Sequence, residues 1–200
     1  MIADARALAL HDALTQEHRE YWNNRGVSND ILDILNIGYT EKGTWKWFTI
    51  PIIDFDGEFL FFKLKKAPGG AEKQPKAMTF PKGNKATLYP LPYLHGGIHS
   101  IFLCEGEPDV LALLSQGIEA VSSTHGVRTF PEEFLMHFPA NIDVTCCFDS
   151  DDAGREGVKR VEELFKEKRS DITFSVFEIP EECPGKDITD YILWKYGPQS

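Results

Sequence analysis

The sequence predicts an α/β fold, with a Rossmann-like parallel four-stranded sheet in the C-terminal half behind a mixed α+β N-terminal subdomain. Three observations predict it. After Gly97, short apolar runs alternate with amphipathic stretches of helical period, the pattern of a parallel sheet flanked by helices. From Lys46 to Lys66, two strand-like runs flank Asp54-Phe55-Asp56-Gly57, a hairpin signal. Residues 13–35 carry helical pieces with their own start and stop residues.

In chain order, Leu14 and Thr15 precede the helical run QEHREYWNN, Gly26 stops it, and Ser28 is placed to cap NDILDILN. WKWFTIPII and EFLFFKLKK follow as strands. By strict alternation, Phe59, Phe61, Lys63 and Lys65 share one face of the second strand, and Leu60, Phe62 and Leu64 share the other. Residues 67–97, rich in Pro, Gly and Lys, read as a long loop with short strands that ends at a boundary near Gly96-Gly97. The expected domains are therefore 1–97 and 98–200. In the second, strands are expected at 99–104, 119–123, 142–148 and 172–179, with helices at 108–116, 131–138 and 153–168. Asp152 is the expected N-cap of the last helix.

Composition removes several classes. With 200 residues, 42% of them hydrophobic and 26% charged, the chain has ordinary globular usage and enough length for a real core. No apolar run approaches the roughly 18 residues of a membrane span. The N-terminal stretch MIADARALALHDALTQ carries acids and no long apolar core, so it does not read as a secretory signal. Cys104, Cys146, Cys147 and Cys183 form no CxxC pair and no Cys/His ligand spacing, so no zinc site is expected. Three of them sit in apolar runs and read as buried free thiols, which agrees with a cytoplasmic location and no membrane.

The net charge of −10 is unevenly placed. Residues 41–85 hold nine Lys against five acids, and residues 86–200 hold nine basic residues against twenty acids. A basic segment beside an acidic one suits a phosphate-tracking surface next to a metal-binding cluster; a solvated charge gradient is the plainer alternative. Within the basic segment, Lys63, Lys65, Lys66, Lys76, Lys82 and Lys85 are the candidate nucleic-acid or nucleotide contacts. Phe59, Phe61, Trp45 and Trp47 are candidate stacking surfaces, with core packing as their ordinary use.

Acids cluster after three of the expected strands: Glu105 in Cys104-Glu105-Gly106-Glu107-Pro108-Asp109, Asp149 and Asp151 in Phe148-Asp149-Ser150-Asp151, and Asp187 in Gly185-Lys186-Asp187. Ligands of parallel α/β sheets collect at the carboxyl ends of strands. Carboxylates there can hold hard divalent ions for phosphoryl transfer, while single acids at such places often only cap the next helix. His125, after the second expected strand, is a further candidate.

FLCEGEPDVLAL followed by CCFDSDDAG resembles the EGxxD and DxDxxG signatures of the Toprim domain of primases and topoisomerases. REYWNNRGVSNDILDILNIGYT, WFTIPIIDFDGEFLFFKL and KQPKAMTFPKGNKATLYPL resemble successive segments of the catalytic core of DnaG-type bacterial and phage primases, so that the similarity spans about residues 14–195. The resemblance implies a C-terminal Toprim domain and DNA-templated synthesis of short RNA primers from NTPs. It implies Glu105 as a metal-proximal acid and general acid/base, Asp149 and Asp151 as ligands and catalytic residues, Asp109 as support within the metal-binding set, and Asp187 as a further ligand. The implied cofactor is Mg²⁺, with Mn²⁺ as the other candidate. The implied partners are a single-stranded DNA template, NTPs and a replicative helicase or separate template-recognition module.

Two departures from the family stand out. The second acid usual two residues after the Asp187 position is here Thr189, with Asp190 one step on. No Cys/His set within these residues builds the family's zinc-ribbon module, so the chain alone is expected to initiate without sequence preference. The alternatives are a Toprim nuclease or nicking enzyme, and a non-catalytic DNA-binding recombination or repair module. A topoisomerase would need a nucleophilic Tyr on another domain.

Overall fold

The computed structural model describes residues 4–126 and 129–197; the first three residues of the N-terminal stretch, Arg128 of the charge balance and residues 198–200 lie outside them. The chain divides into two compact units, Met1–Asn24 with Ser28–Lys85, and Arg25–Val27 with Ala86–Ser200. The division expected near Gly96-Gly97 thus falls inside the second unit, because Leu88 and Tyr89 already pair with its sheet.

In the first unit, α1 (Ala5–Asp12), which the sequence reading did not anticipate, starts at Asp4, whose carboxylate accepts from the backbone N–H of Arg6 and Ala7. α2 (Gln16–Asn23) opens on a reciprocal cap: Thr15 Oγ1 accepts from His18 N–H, and His18 Nδ1 accepts from Thr15 N–H. α3 (Asn29–Ile34) is capped by Ser28 as expected. Four antiparallel strands follow in chain order: β1 (Gly38–Lys42), β2 (Trp45–Ile53), β3 (Phe59–Lys66) and β4 (Ala77–Phe80). The β2–β3 turn is the expected one. Asp54 Oδ1 accepts from the N–H of Asp56 and Glu58, and Gly57 takes a positive φ of 88°.

The strict alternation expected along β3 does not hold. A bulge shifts the register at Ile52/Ile53, so that Ile53 pairs with Phe59 while Ile52 pairs with Phe61. Phe59 therefore packs with Phe62 and Leu64 against Ala7, Trp47 and Ile53, rather than sharing a face with Phe61. The long loop after β3 is tied down by buried Gln74. Its Oε1 accepts from Lys46 N–H and its Nε2 donates to Lys46 C=O, as a neighbouring strand would.

The second unit holds a five-stranded sheet rather than the expected four. β5 (Leu88–Tyr89) is an antiparallel edge, and β6 (Ser100–Cys104), β7 (Ala120–Ser123), β8 (Asp143–Cys147) and β9 (Thr173–Val176) are parallel, in the order β5-β7-β6-β8-β9. The last strand is shorter than expected. α4 (Glu107–Ser115) connects β6 to β7, α5 (Asp152–Lys168) connects β8 to β9, and α6 (Ile188–Tyr196) follows. The run expected as a helix at 131–138 is instead a 3₁₀ stretch, Glu132–His137. Its Leu135 carbonyl accepts from the Phe138 N–H three residues on, the 3₁₀ spacing, and the carbonyls of Leu135, Phe138 and Pro139 accept from the Arg169 guanidinium.

Alternation works along the central strands. Ile101 and Leu103 of β6 join Val144 and Cys146 of β8 in one core with Val161 and Phe165 of α5. Phe102, on the opposite face, meets Phe177, which in turn meets Tyr191 of α6. α4 packs against β7, β6 and α6, and its run Val110–Leu114 is buried, as a helix apolar on all sides requires. Cys104, Cys146 and Cys147 are free and buried, as expected, and so is Cys183.

Candidate active site

Strand order positions the site. The chain leaves β6 toward β7 on one side, then returns past β6 to place β8 on the other. The point where strand order reverses is where a crevice opens at the carboxyl ends of a parallel sheet, here β6 and β8. Cys104 and Cys147 are in register there, with their sulfurs 3.5 Å apart. Glu105 immediately follows β6, and Asp149 lies two residues past the end of β8. The tertiary fold thus brings together two acids 44 residues apart in sequence.

The loop that carries Asp149 and Asp151 is held closely. Asp151 Oδ1 accepts from Gly154 N–H at 3.0 Å and caps α5, so Asp151, not Asp152 as expected, is the N-cap. Asp152 already lies inside the helix, with its carboxylate paired to Arg155. A Cβ on Gly154 would collide with the Asp149 carbonyl, so only glycine lets the first turn of α5 come this close. Across the crevice, Ser150 N–H and Oγ both donate to the carbonyl of Lys186, at 2.9 and 3.0 Å. The Lys186 N–H in turn donates to Asp190 Oδ2.

These backbone ties set Lys186 Nζ 2.9 Å from Asp149 Oδ2 and 2.9 Å from Asp151 Oδ2. The ammonium lowers the pKa of Asp151, chiefly through that hydrogen bond, and its own pKa is raised by both carboxylates. Glu105 is different. Burial first, and then the neighbouring Asp149 and Asp151 charges, push its pKa up, while the Asp149 N–H pulls the other way. Its Oε2 is buried and lacks a hydrogen-bond partner. The sequence reading missed Lys186 as a site residue, although the Gly185-Lys186-Asp187 run was the signal that could have found it.

The other expected ligands have different partners. Asp109 Oδ1 accepts from Thr189 Oγ1 at 2.7 Å, a bond that joins α4 to α6. Asp187 Oδ1 accepts from Asp190 N–H and caps α6, and burial raises its pKa. His125 bonds its neighbours, with its N–H on Ser123 Oγ and its ring on Thr124 Oγ1.

Among the described residues, no three His, Cys, Asp or Glu side chains form a ready metal cage. Two carboxylates bridged by one cation nevertheless fit Mg²⁺, which usually takes one or two protein carboxylates and completes its shell with phosphate and water. In this structure the Lys186 ammonium lies between those two carboxylates, and Glu105, whose Oε2 lacks a hydrogen-bond partner, belongs to the same acid cluster.

The candidate lysines all belong to the first unit. In register, Lys63 and Lys65 stand opposite Ile50 and Phe48, whereas Lys66 stands opposite Trp47, on the other face of the sheet. Lys66 Nζ also donates to the Ala71 carbonyl. Lys76, Lys82 and Lys85 are exposed.

Residues 102–192 match the family described as Toprim-like. The chain is similar in sequence to DNA primases over up to 75% of its length and has the fold of DnaG-type catalytic cores. A DNA primase of Enterococcus faecalis is 26% identical over 160 residues, covering 75% of this chain and 25% of that protein. The Mycoplasma genitalium protein MG010, described as uncharacterized, is 28% identical over 176 residues, covering 86% of this chain and 78% of that one. The structure of a DnaG primase catalytic domain bound to ssDNA matches with a TM-score of 0.72 at 20% identity, over 97% of this chain and 73% of that one. The chain spans a quarter or less of the length of the primases it matches. Among the described residues, no helix is long and apolar enough to cross a membrane.

Proposed function

We propose that this chain is a primase catalytic core, which makes short RNA primers from NTPs on a single-stranded DNA template. The observation that carries the reading is the convergence of Glu105, Asp149 and Asp151 at the strand-order reversal of a Toprim-like domain. The likeness to primase catalytic domains over nearly the whole chain, one of them bound to ssDNA, supports it.

In this reading, Asp149 and Asp151 would hold a divalent ion, Mg²⁺ or Mn²⁺, which would supply Lewis-acid chemistry there. Glu105 works as the general base. Its raised pKa suits proton transfer, and Oε2 takes the proton of the attacking 3′-hydroxyl as the new P–O bond forms and pyrophosphate leaves. Asp187 and Asp109 support the loop and helix ends from the positions described, and a helicase or separate recognition module would deliver the template.

The test is an assay with labelled NTPs and single-stranded DNA, scored for extension, cleavage or binding alone. Asp149→Asn and Glu105→Gln should each lower extension by about 100-fold or more, with the far-UV spectrum unchanged. Near-normal extension in Asp149→Asn would sink the metal role, and cleavage without extension would favour the nuclease reading.

The lysines of the first unit are proposed to track the nucleic-acid backbone. Neutralising Lys63, Lys65 and Lys66 together should weaken DNA binding and flatten its salt dependence by about one to three phosphate contacts. Since Lys66 lies on the opposite sheet face, Lys63 and Lys65 should account for most of the change. An unchanged log–log salt slope would mean that these lysines only solvate the sheet.

A further inference from the structure

We propose that Lys186 is a positioning residue that occupies the cation place between Asp149 and Asp151 and is exchanged for the divalent ion when that ion binds. The proposal rests on the primase reading for what the ion then does, but not for the exchange itself.

Three features of the geometry point to exchange rather than to a permanent ion pair. First, the contacts are symmetrical. One Nζ lies 2.9 Å from an oxygen of each aspartate, so a single cation already serves both carboxylates. Asp151 uses its other oxygen for the α5 cap, so the cap and the cation do not compete for the same atom.

Second, the backbone around Lys186 is fixed by bonds that do not involve its ammonium. Its carbonyl accepts twice from Ser150, which stands between the two aspartates in the chain, and its N–H is held by Asp190. A Cβ on the preceding Gly185 would collide with the Asp190 side chain, so this approach depends on glycine as well. Removing the ammonium therefore leaves the two aspartates where they are.

Third, the side chain itself is 58% exposed. Its long stem can swing into water without disturbing a core, and an ammonium is well hydrated there. Lys186 is thus a tethered cation on a fixed anchor. While no divalent ion is bound, it offsets the repulsion of clustered carboxylates. An ion entering the place between the two carboxylates repels the ammonium that fills it, so the ammonium leaves.

The sign of the effect follows. If Lys186 were a structural strut, removing its charge would loosen the acids and weaken metal binding. If it is a competitor, removal strengthens binding, because the ion no longer has to break two contacts. Exposed ion pairs are each worth a few-fold in an equilibrium constant, so relieving two should tighten binding by about tenfold.

The experiment is a Mn²⁺ titration of the full chain without nucleotide or DNA, with free Mn²⁺ read by electron paramagnetic resonance. Lys186→Met, and Lys186→Gln as a second variant, should bind Mn²⁺ about tenfold more tightly than the parent chain, while Lys186→Arg stays near the parent value. Circular dichroism establishes that each variant is folded. Equal or weaker Mn²⁺ binding in the folded Met and Gln variants overturns the proposal, as does the absence of Mn²⁺ binding from all of them. The function is tested separately. If Asp149→Asn abolishes primer extension while Lys186→Met fails to tighten Mn²⁺ binding, the exchange is wrong and the primase reading stands. If Lys186→Met tightens binding but the chain extends no primer, the exchange stands and the primase reading is wrong.

Discussion

At position 189, where the primase resemblance implies a second acid, the chain carries a buried threonine. Its Oγ1–H donates to Asp109 Oδ1 at 2.7 Å. The bond gives the Asp109 carboxylate a donor that an acid at position 189 could not supply. Thr189→Val should therefore cost about 1–3 kcal/mol in urea denaturation, whereas Thr189→Ser should stay close to the parent. Thr189→Asp should cost more than Thr189→Val, because two carboxylates at that separation cannot both stay ionised without repulsion. An Asp variant as stable as the parent would show that the hydroxyl contributes nothing special.

At the scale of an element, α2 has a pH dependence built into its first turn. His18 Nδ1 accepts from Thr15 N–H only while the ring is unprotonated at that nitrogen, and the ring also stacks on Tyr39 with centroids 3.8 Å apart. Burial, the largest influence, lowers the His18 pKa, with Glu17 opposing it. The folded state therefore favours the neutral ring. The resulting stability is fully present above the unfolded value of about 6.5 and is lost as pH falls through the lower folded value. Losing half of this cap should cost up to about 1 kcal/mol, seen as a falling denaturation midpoint below neutral pH. His18→Gln should flatten that fall, since its side-chain oxygen can accept over the whole range. An equally steep fall in the variant would assign the effect elsewhere.

At the scale of the molecule, the second unit is closed by one long-range side chain. Arg169, just past the end of α5, donates to the carbonyls of Leu135, Phe138 and Pro139 at 2.5, 3.0 and 3.2 Å, and forms a two-pronged pair with Asp171. That links the segment entering β8 to the segment entering β9, while Phe130, Phe138 and Phe165 meet beneath it. Arg169→Ala takes the guanidinium from three carbonyls, of which the Leu135 carbonyl keeps the Phe138 N–H, and should destabilise the protein by about 2–4 kcal/mol, measured by urea denaturation. Arg169→Lys should recover only part of this, since an ammonium cannot reproduce the planar fork. Full recovery by Lys would mean that charge, not geometry, closes this layer.

Much of this was legible in the sequence, for a local reason. The strand–helix alternation after Gly97, the Asp-Gly turn between β2 and β3, and the Thr15 and Ser28 helix starts all lie within windows of a few residues. In such windows, side-chain period and capping chemistry act directly on the backbone. The acids Glu105, Asp149 and Asp151 were legible too, because each follows an apolar strand closely. What the sequence left open was decided by contacts between distant residues. Phe59 changed faces because a bulge shifted the β2–β3 register. Leu88 and Tyr89 became a fifth strand because an edge of β7 was open to them. The cap of α5 fell to Asp151 because Gly154 lets the helix start against the Asp149 carbonyl. Lys186 reached the acid pair only because the fold carries it back across some 35 residues of chain to Ser150. Sequence alone determined many of the strands and helices, and which strand ends bear carboxylates. Only the tertiary structure decided which strands are neighbours, and hence which charges meet, because pairing energies depend on separation in space rather than along the chain.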